Sequence, residues 1–218
     1  MFDISRIIRF LVLFFVSYGV IIFLFTTDAL KPAVHGFYKN SSCNISSVLM
    51  SRADVISQFE RQGNTVSYDR VVVRVGANQK EIDRRIAEAR RLGLSEIKNP
   101  VCDIPFKPFE FFTVPLVFVF SLVLVTPMGF KKKLISILLA ALGMLIFLWL
   151  KFYIQILFSI NFVYPIGMYE LGSTGRSILE FLSQAMTMGL SIMVGVVLWL
   201  ILSYKSLPLD RFKEAFKS

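Results

Sequence analysis

Cys43, Cys102 and His35 are the side chains of this chain best equipped for chemistry. They are its only two cysteines and its only histidine, and all three fall in one polar stretch between about Thr27 and Pro108. Two cysteines near opposite ends of such a stretch predict a disulfide on an oxidising side, a cross-link of about 2–4 kcal/mol in the loop-entropy picture. Two buried thiols fit the spacing as well, whereas a metal site is weak with a single histidine. A Cys43–His35 nucleophile pair is a further use, which a disulfide would abolish by consuming the thiol. No G-x-S-x-G, Walker A, H-E-x-x-H or Gly-rich dinucleotide signature occurs, so no catalytic, cofactor-binding or metal-binding residue is assigned.

The rest of the chain explains where such a stretch would be held. Of 218 residues 55% are hydrophobic and 18% charged, with 22 phenylalanines and a mean hydropathy of +0.65. That many large apolar rings exceed what one soluble core of this size buries, so lipid or other helices must surround them. A crossing takes about 20 apolar residues, and four runs qualify: Phe10 to Phe25, Phe109 to Thr126, Leu134 to Phe158 and Phe181 to Tyr204. The first also resembles a signal-peptide core behind Arg6 and Arg9, but it is too long and no A-x-A site follows. Pro115 near the start of the second run predicts a kink or a loose first turn, and Pro127 stops that run.

The net charge of +9 is distributed as a topology signal and not as a nucleic-acid surface. Arg6 and Arg9, the triplet Lys131, Lys132 and Lys133, and the cations between Lys205 and Lys217 lie on alternate connections, which the positive-inside rule assigns to the cytoplasm. The expected fold is therefore membrane α-helical: four transmembrane helices with a small α+β extracytoplasmic domain inserted between the first and second. In residue terms this is a cytoplasmic start and first span at 1–26, the outer domain at 27–108, a second span at 109–127, and a basic loop at 128–133. A third span follows at 134–158, an outer loop at 159–180, a fourth span at 181–204 and a basic tail at 205–218.

Within the outer domain, Thr65 to Val75 is rich in β-branched residues and predicts a strand. Asn78 followed by Glu81 is an Asn-led capping box opening a helix over 79–92, with Ile82, Ile86 and Ala89 on one face and Gly93 closing it. A second amphipathic helix is expected over Ser47 to Phe59. The cations of the first helix, Lys80, Arg84, Arg85, Arg90 and Arg91, interleave with Glu81, Asp83 and Glu88, so a solvated, locally paired face is the expectation over a lipid- or partner-binding one.

In the spans, Lys151 lies late in the third run and is expected to snorkel to the outer interface, with Gln155 one turn on and Glu110, Glu170 or Glu180 as acidic neighbours. Ala185 and Gly189, then Ser191 and Gly195, sit four apart in the fourth run. Small residues at that spacing let helices approach closely, within one molecule or across an interface with another, a second copy included.

The run from Arg84 to Pro127, RRIAEARRLGLSEIKNP leading to FFTVPLVFVFSLVLVTP, resembles bacterial membrane proteins associated with exosortases, the exosortase H system among them. It covers a third to a half of the chain. The resemblance implies a multi-pass protein of the bacterial inner membrane with both termini cytoplasmic, acting as an accessory beside a polytopic protein-sorting enzyme. It implies no catalysis, because the intramembrane Cys, Arg and His residues of the enzymes have no match here. From the residues alone, the partners expected are the lipid bilayer and another polytopic protein. A claudin-like adhesion protein is a second reading: Asn40-Ser41-Ser42 and Asn44-Ile45-Ser46 would be glycosylation acceptors, although the W…G-L-W…C…C pattern is missing. A membrane enzyme using Cys43 and His35 is the third.

Overall fold

The computed structural model describes residues 4–62, 65–93, 101–164, 169 and 171–204, and the chain divides into two compact units. The basic tail from Lys205 to Lys217 and the acidic candidate Glu170 lie outside the described residues.

The first unit holds residues up to Leu30, Glu110–Leu148 and those from Thr187 onward, and among the described residues it is helical. Helix α1 (Ile4–Thr26) ends where Thr26 Oγ1 donates to the Ile22 and Phe23 carbonyls at 3.1 and 2.9 Å and Thr27 Oγ1 donates to Leu24 O at 2.7 Å. These hydroxyls satisfy carbonyls that a helix terminus leaves without partners. Most large apolar side chains of α1 are exposed, which suits a helix solvated by hydrocarbon.

The second unit, Lys31–Phe109 with Trp149–Met186, contains α2 (Lys31–Leu49), β1 (Ala53–Gln62), β2 (Thr65–Ala77), α3 (Gln79–Arg91) and β3 (Cys102–Phe106). The strands form an antiparallel sheet in the order β1-β2-β3. Val71, Val73 and Val75 alternate onto one face and are 0% exposed. Ser57 and Ile104 flank Val73 in the register, as Val55 and Cys102 flank Val75. On the opposite face Arg74 lies across from Asp103 and holds it with two hydrogen bonds, at 2.8 and 2.9 Å, the bidentate geometry that suits a guanidinium–carboxylate pair.

The strand over 65–77 and the helix over 79–91 agree with the sequence. The helix expected over Ser47 to Phe59 does not form: α2 stops at Leu49 and β1 occupies 53–62. Ala53 and Val55, two apart, are both buried on the α2 side of the sheet, so a strand period, fixed by pairing with β2, overrides the weaker helical spacing. Asn78 caps α3 by accepting from Glu81 N at 3.0 Å, but the box is not reciprocal. The Asn78 backbone N–H instead donates to Arg52 O, and its side-chain Nδ2 donates to Ser51 O at 2.8 Å, tying α3 to the start of β1.

Back in the first unit, α4 (Val114–Val125) is entered through a π-helical turn, Phe109–Thr113. Pro115 has no N–H to donate back along the helix, which accounts for the widened turn expected there. Packed with α1 and α7, α4 buries residues on most of its circumference, Leu116, Val117, Val119 and Leu122 among them. With its entry turn it covers Phe109–Val125, an apolar helix at the short end of what a crossing takes.

Helix α5 (Phe130–Phe158) runs on through a second π-helical turn, Ser159–Val163. Its stretch beyond Leu148 belongs to the second unit, where Phe152 meets Phe106 edge-on at 5.1 Å between ring centroids. The predicted outer loop and fourth span are reorganised into two helices, α6 (Ser173–Ala185) and α7 (Met188–Ser203). Non-helical backbone at Met186 (ψ 48°) and Thr187 (ψ 173°) separates them, and Thr187 recaps α7 by accepting from Leu190 N. Ile4–Thr26 and Phe130–Val163 are long and apolar enough to cross a membrane, and α6 with α7 amounts to at most one bent span. The protein is thus mostly helical, with two or three candidate membrane helices and a small three-stranded sheet.

Candidate functional site

Of the three candidates, His35 and Cys43 sit on α2 and Cys102 on β3. His35 is fully buried, and its Nδ1 lies 2.7 Å from the carbonyl oxygen of Tyr68. A carbonyl only accepts, so Nδ1 carries the proton and the neutral ring presents Nε2 as an acceptor. Nε2 has no hydrogen-bond partner among the described residues. Beside this contact, Lys31 and Asp69 form an ion pair at 2.6 Å. Burial lowers the His35 pKa from its ordinary 6.5, outweighing the Tyr68 hydrogen bond and Asp69, which raise it; Lys31 adds a small push downward.

A folded-state value below the unfolded one means that unfolding takes up a proton in the window between them. The stability that His35 contributes is therefore complete above about pH 6.5 and is lost as pH falls through the folded value. Protection of α2 and β2 against hydrogen exchange, referred to the intrinsic amide rate at each pH, should fall on acidification from pH 7.5 to 5.5, and His35→Gln should flatten that dependence. An equally steep response in the variant would remove His35 as its source.

Cys43 and Cys102 are free, buried thiols, which corrects the expected disulfide. Cys43, on α2, stands beside Ser57 of β1, while Cys102 belongs to β3, a strand two spacings or about 10 Å from β1. Bridged Cα atoms must approach within about 7 Å. Burial pushes both thiols upward in pKa, so neither is poised as a thiolate. His35 and Cys43, eight residues apart on one helix, are separated by about 12 Å of rise and have different partners, so they form no nucleophile–base pair. Unreduced protein, denatured and alkylated, should gain two alkyl groups by mass; a gain of none would restore the disulfide.

No three His, Cys, Asp or Glu side chains come together as a metal site among the described residues. In the two glycosylation motifs the acceptors Asn40 and Asn44 are exposed on α2, while the hydroxyl residues Ser42 and Ser46 are buried. The cations of α3 behave largely as expected: Arg84 and Arg85 both reach Glu81, at 2.9 and 3.3 Å. Glu81 itself is buried, which its position inside a charged helix does not announce.

In the helical unit, Ser191 and Gly195 are both buried. Gly195 is buried where α7 crosses α4, and a Cβ at this position would lie 2.5 Å from Val119 Cγ2. Ser191 is also buried, with Oγ donating to Thr187 O at 3.2 Å. Ala185 and Gly189 do not form the expected pair. The break at Met186 and Thr187 places them on different helices, and a Cβ on Gly189 would meet only Thr187 Oγ1, at 3.6 Å. Gly143 of α5 marks a second close approach, since a Cβ there would lie 3.2 Å from Leu198 Cδ2 of α7.

Lys151 is 5% exposed, so it is enclosed by protein and does not extend to an open interface as snorkelling requires. Gln155 donates from Nε2 to Ser183 O at 3.4 Å and so fastens α5 to α6. Of the topology cations, Arg6, Arg9, Lys131 and Lys132 are exposed, while Lys133 donates from Nζ to Leu124 O at 2.6 Å, near the C-terminus of α4, where a cation complements the helix dipole.

The sequence reading missed a polar link in the same part of the unit. Trp199 Nε1 donates to Thr126 Oγ1 at 2.7 Å, and Thr126 Oγ1 in turn donates to Leu122 O. The Phe10 ring lies 6.1 Å from that of Trp199. A lone Thr-Pro at the end of an apolar run was its only sequence signal. Comparison of the chain with protein-family models, with curated proteins and with solved structures finds no match.

Proposed function

We propose that the chain is a non-enzymatic accessory protein of the bacterial inner membrane, presenting its α+β unit outside the cytoplasm and partnering a polytopic envelope protein of the exosortase type. In this reading α1, the Phe109–Val125 segment, α5 and α7 are four spans, and both termini are cytoplasmic. The supporting observation is the Phe10–Trp199–Thr126 link with Lys133 bound to Leu124 O. These contacts gather the basic ends of α1 and α5, the end of α4 and the C-terminal part of α7 at one end of the helical unit, as a shared cytoplasmic side requires. The outer unit meanwhile uses His35, Cys43 and Cys102 in packing, and the outward apolar side chains of α1 are left for lipid or a partner's helices.

The test is in vivo crosslinking from α1, at Val12 and Phe15, in cells containing an exosortase-type enzyme. A crosslink to that enzyme, together with impaired sorting on deletion, is the expected result. Recovery of the chain alone with normal sorting would overturn the accessory role. A reporter at Ser218 reachable only from outside the cell would overturn the topology.

A further inference from the structure

Helix α6 is amphipathic in three stripes. Ser173, Arg176, Ser177, Glu180 and Gln184 recur at three- and four-residue spacing and form a polar face. Leu179 is buried against protein, on the side where Gln155 holds Ser183 O. Between these lies a third stripe, in which Ile178 and Phe181, one turn apart, are 54% and 70% exposed. A soluble helix rarely leaves two large apolar side chains together in water.

Chain continuity names the medium that covers them. After a break of two residues, Met186 and Thr187, the chain enters α7, whose sequence MGLSIMVGVVLWLILS carries no charge. The C-terminal end of α6 is thus held at the boundary of an apolar helix. Thr187 recaps α7 with its own side chain, so α6 is a separate element and not the first turns of a straight span.

We propose that α6 lies in the plane of the outer leaflet, with Ile178 and Phe181 inserted about 5–10 Å into the headgroup–acyl boundary and Arg176, Ser177 and Glu180 facing water. The occupant of the open stripe is the bilayer itself. Arg176 and Glu180 offset one another on the polar face, so insertion does not depend on anionic lipid. The inference rests on the membrane reading of α5 and α7, and it replaces a water-filled outer loop at 173–180 with a helix that anchors α5 and α7 at one interface.

Spin labels on single cysteines test this in the full chain, reconstituted in phosphatidylcholine nanodiscs. Positions are Ile178→Cys and Phe181→Cys on the stripe, Ser177→Cys and Glu180→Cys on the polar face, and Leu142→Cys on α5 as a bilayer reference. The unsubstituted chain, with both native thiols buried, serves as the unlabelled control. Collision with oxygen should exceed collision with a water-soluble nickel chelate several-fold at 178 and 181, with the order reversed at 177 and 180. Adding anionic lipid should change neither.

Nickel access at 178 and 181 equal to that at 177 and 180 would show the helix in water and overturn the proposal. Protection from both reagents at 178 and 181 would show a protein cover, from a second copy or a partner, and would overturn it too. Nickel access at Leu142 would instead mean that the membrane reading of α5 has failed, a result separable from either.

Discussion

Gly195→Val is expected to destabilise the detergent-solubilised protein by about 1–3 kcal/mol, the cost typical of forcing extra methyl groups into a packed site. The effect follows from one distance: a Cβ at Gly195 would sit 2.5 Å from Val119 Cγ2, closer than two carbon atoms tolerate. Val119 is β-branched and fully buried, so it has few rotamers through which to withdraw. The helices α4 and α7 must then separate. Val119→Ala clears the space, and the double variant Val119→Ala with Gly195→Val should recover a large part of the loss, a coupling that a double-mutant cycle measures directly. Thermal unfolding in detergent reads all three variants. Additive losses, or a Gly195→Val protein as stable as the parent, would mean that α7 does not cross α4 at this residue.

Glu81→Ala should destabilise the α+β unit by about 2–3 kcal/mol, the scale of losing a hydrogen-bonded partner of a charged group in a buried place. Glu81 is buried, and its Oε1 receives Arg84 and Arg85 at 2.9 and 3.3 Å. Arg84 is about half exposed and regains water on losing the carboxylate, whereas Arg85 is largely enclosed and carries more of the cost. Glu81→Gln keeps the size and an acceptor oxygen, and should lose less than Glu81→Ala. Hydrogen exchange across α3 in the full-length protein separates these outcomes. A Glu81→Ala protein with unchanged protection in α3 would remove the buried carboxylate from the account.

Some of this was legible residue by residue. The β-branched run TVSYDRVVVRV became β2, and Asn78 became the cap of α3, because each signal is local: alternation needs only neighbours two apart, and a cap needs only the first turn of its helix. Ser191 and Gly195 were legible for the same reason, although the partner helix was not. Only the fold names Val119. Segment 47–59 was misread because its helical and strand periods compete within thirteen residues, and pairing with a strand that comes later in the chain decides between them. Ala185 and Gly189 share the spacing of a packing pair, yet they fall on either side of a helix break that no proline or glycine at 186 or 187 announces.

By itself, the order of residues pointed to the medium, through helices long and apolar enough to cross a membrane. Four apolar runs with cations banked at alternate ends ask for hydrocarbon, since transfer from water is a property each side chain carries wherever the chain places it. Only the tertiary structure decided which groups meet. It kept Cys43 and Cys102 on different elements of the α+β unit, buried Lys151 and Glu81, joined Trp199 to Thr126 across seventy-three residues, and split the last apolar run into α6 and α7. Such contacts depend on distances between residues remote in sequence, which arise only when several elements pack at once, and hydropathy contains no such distances.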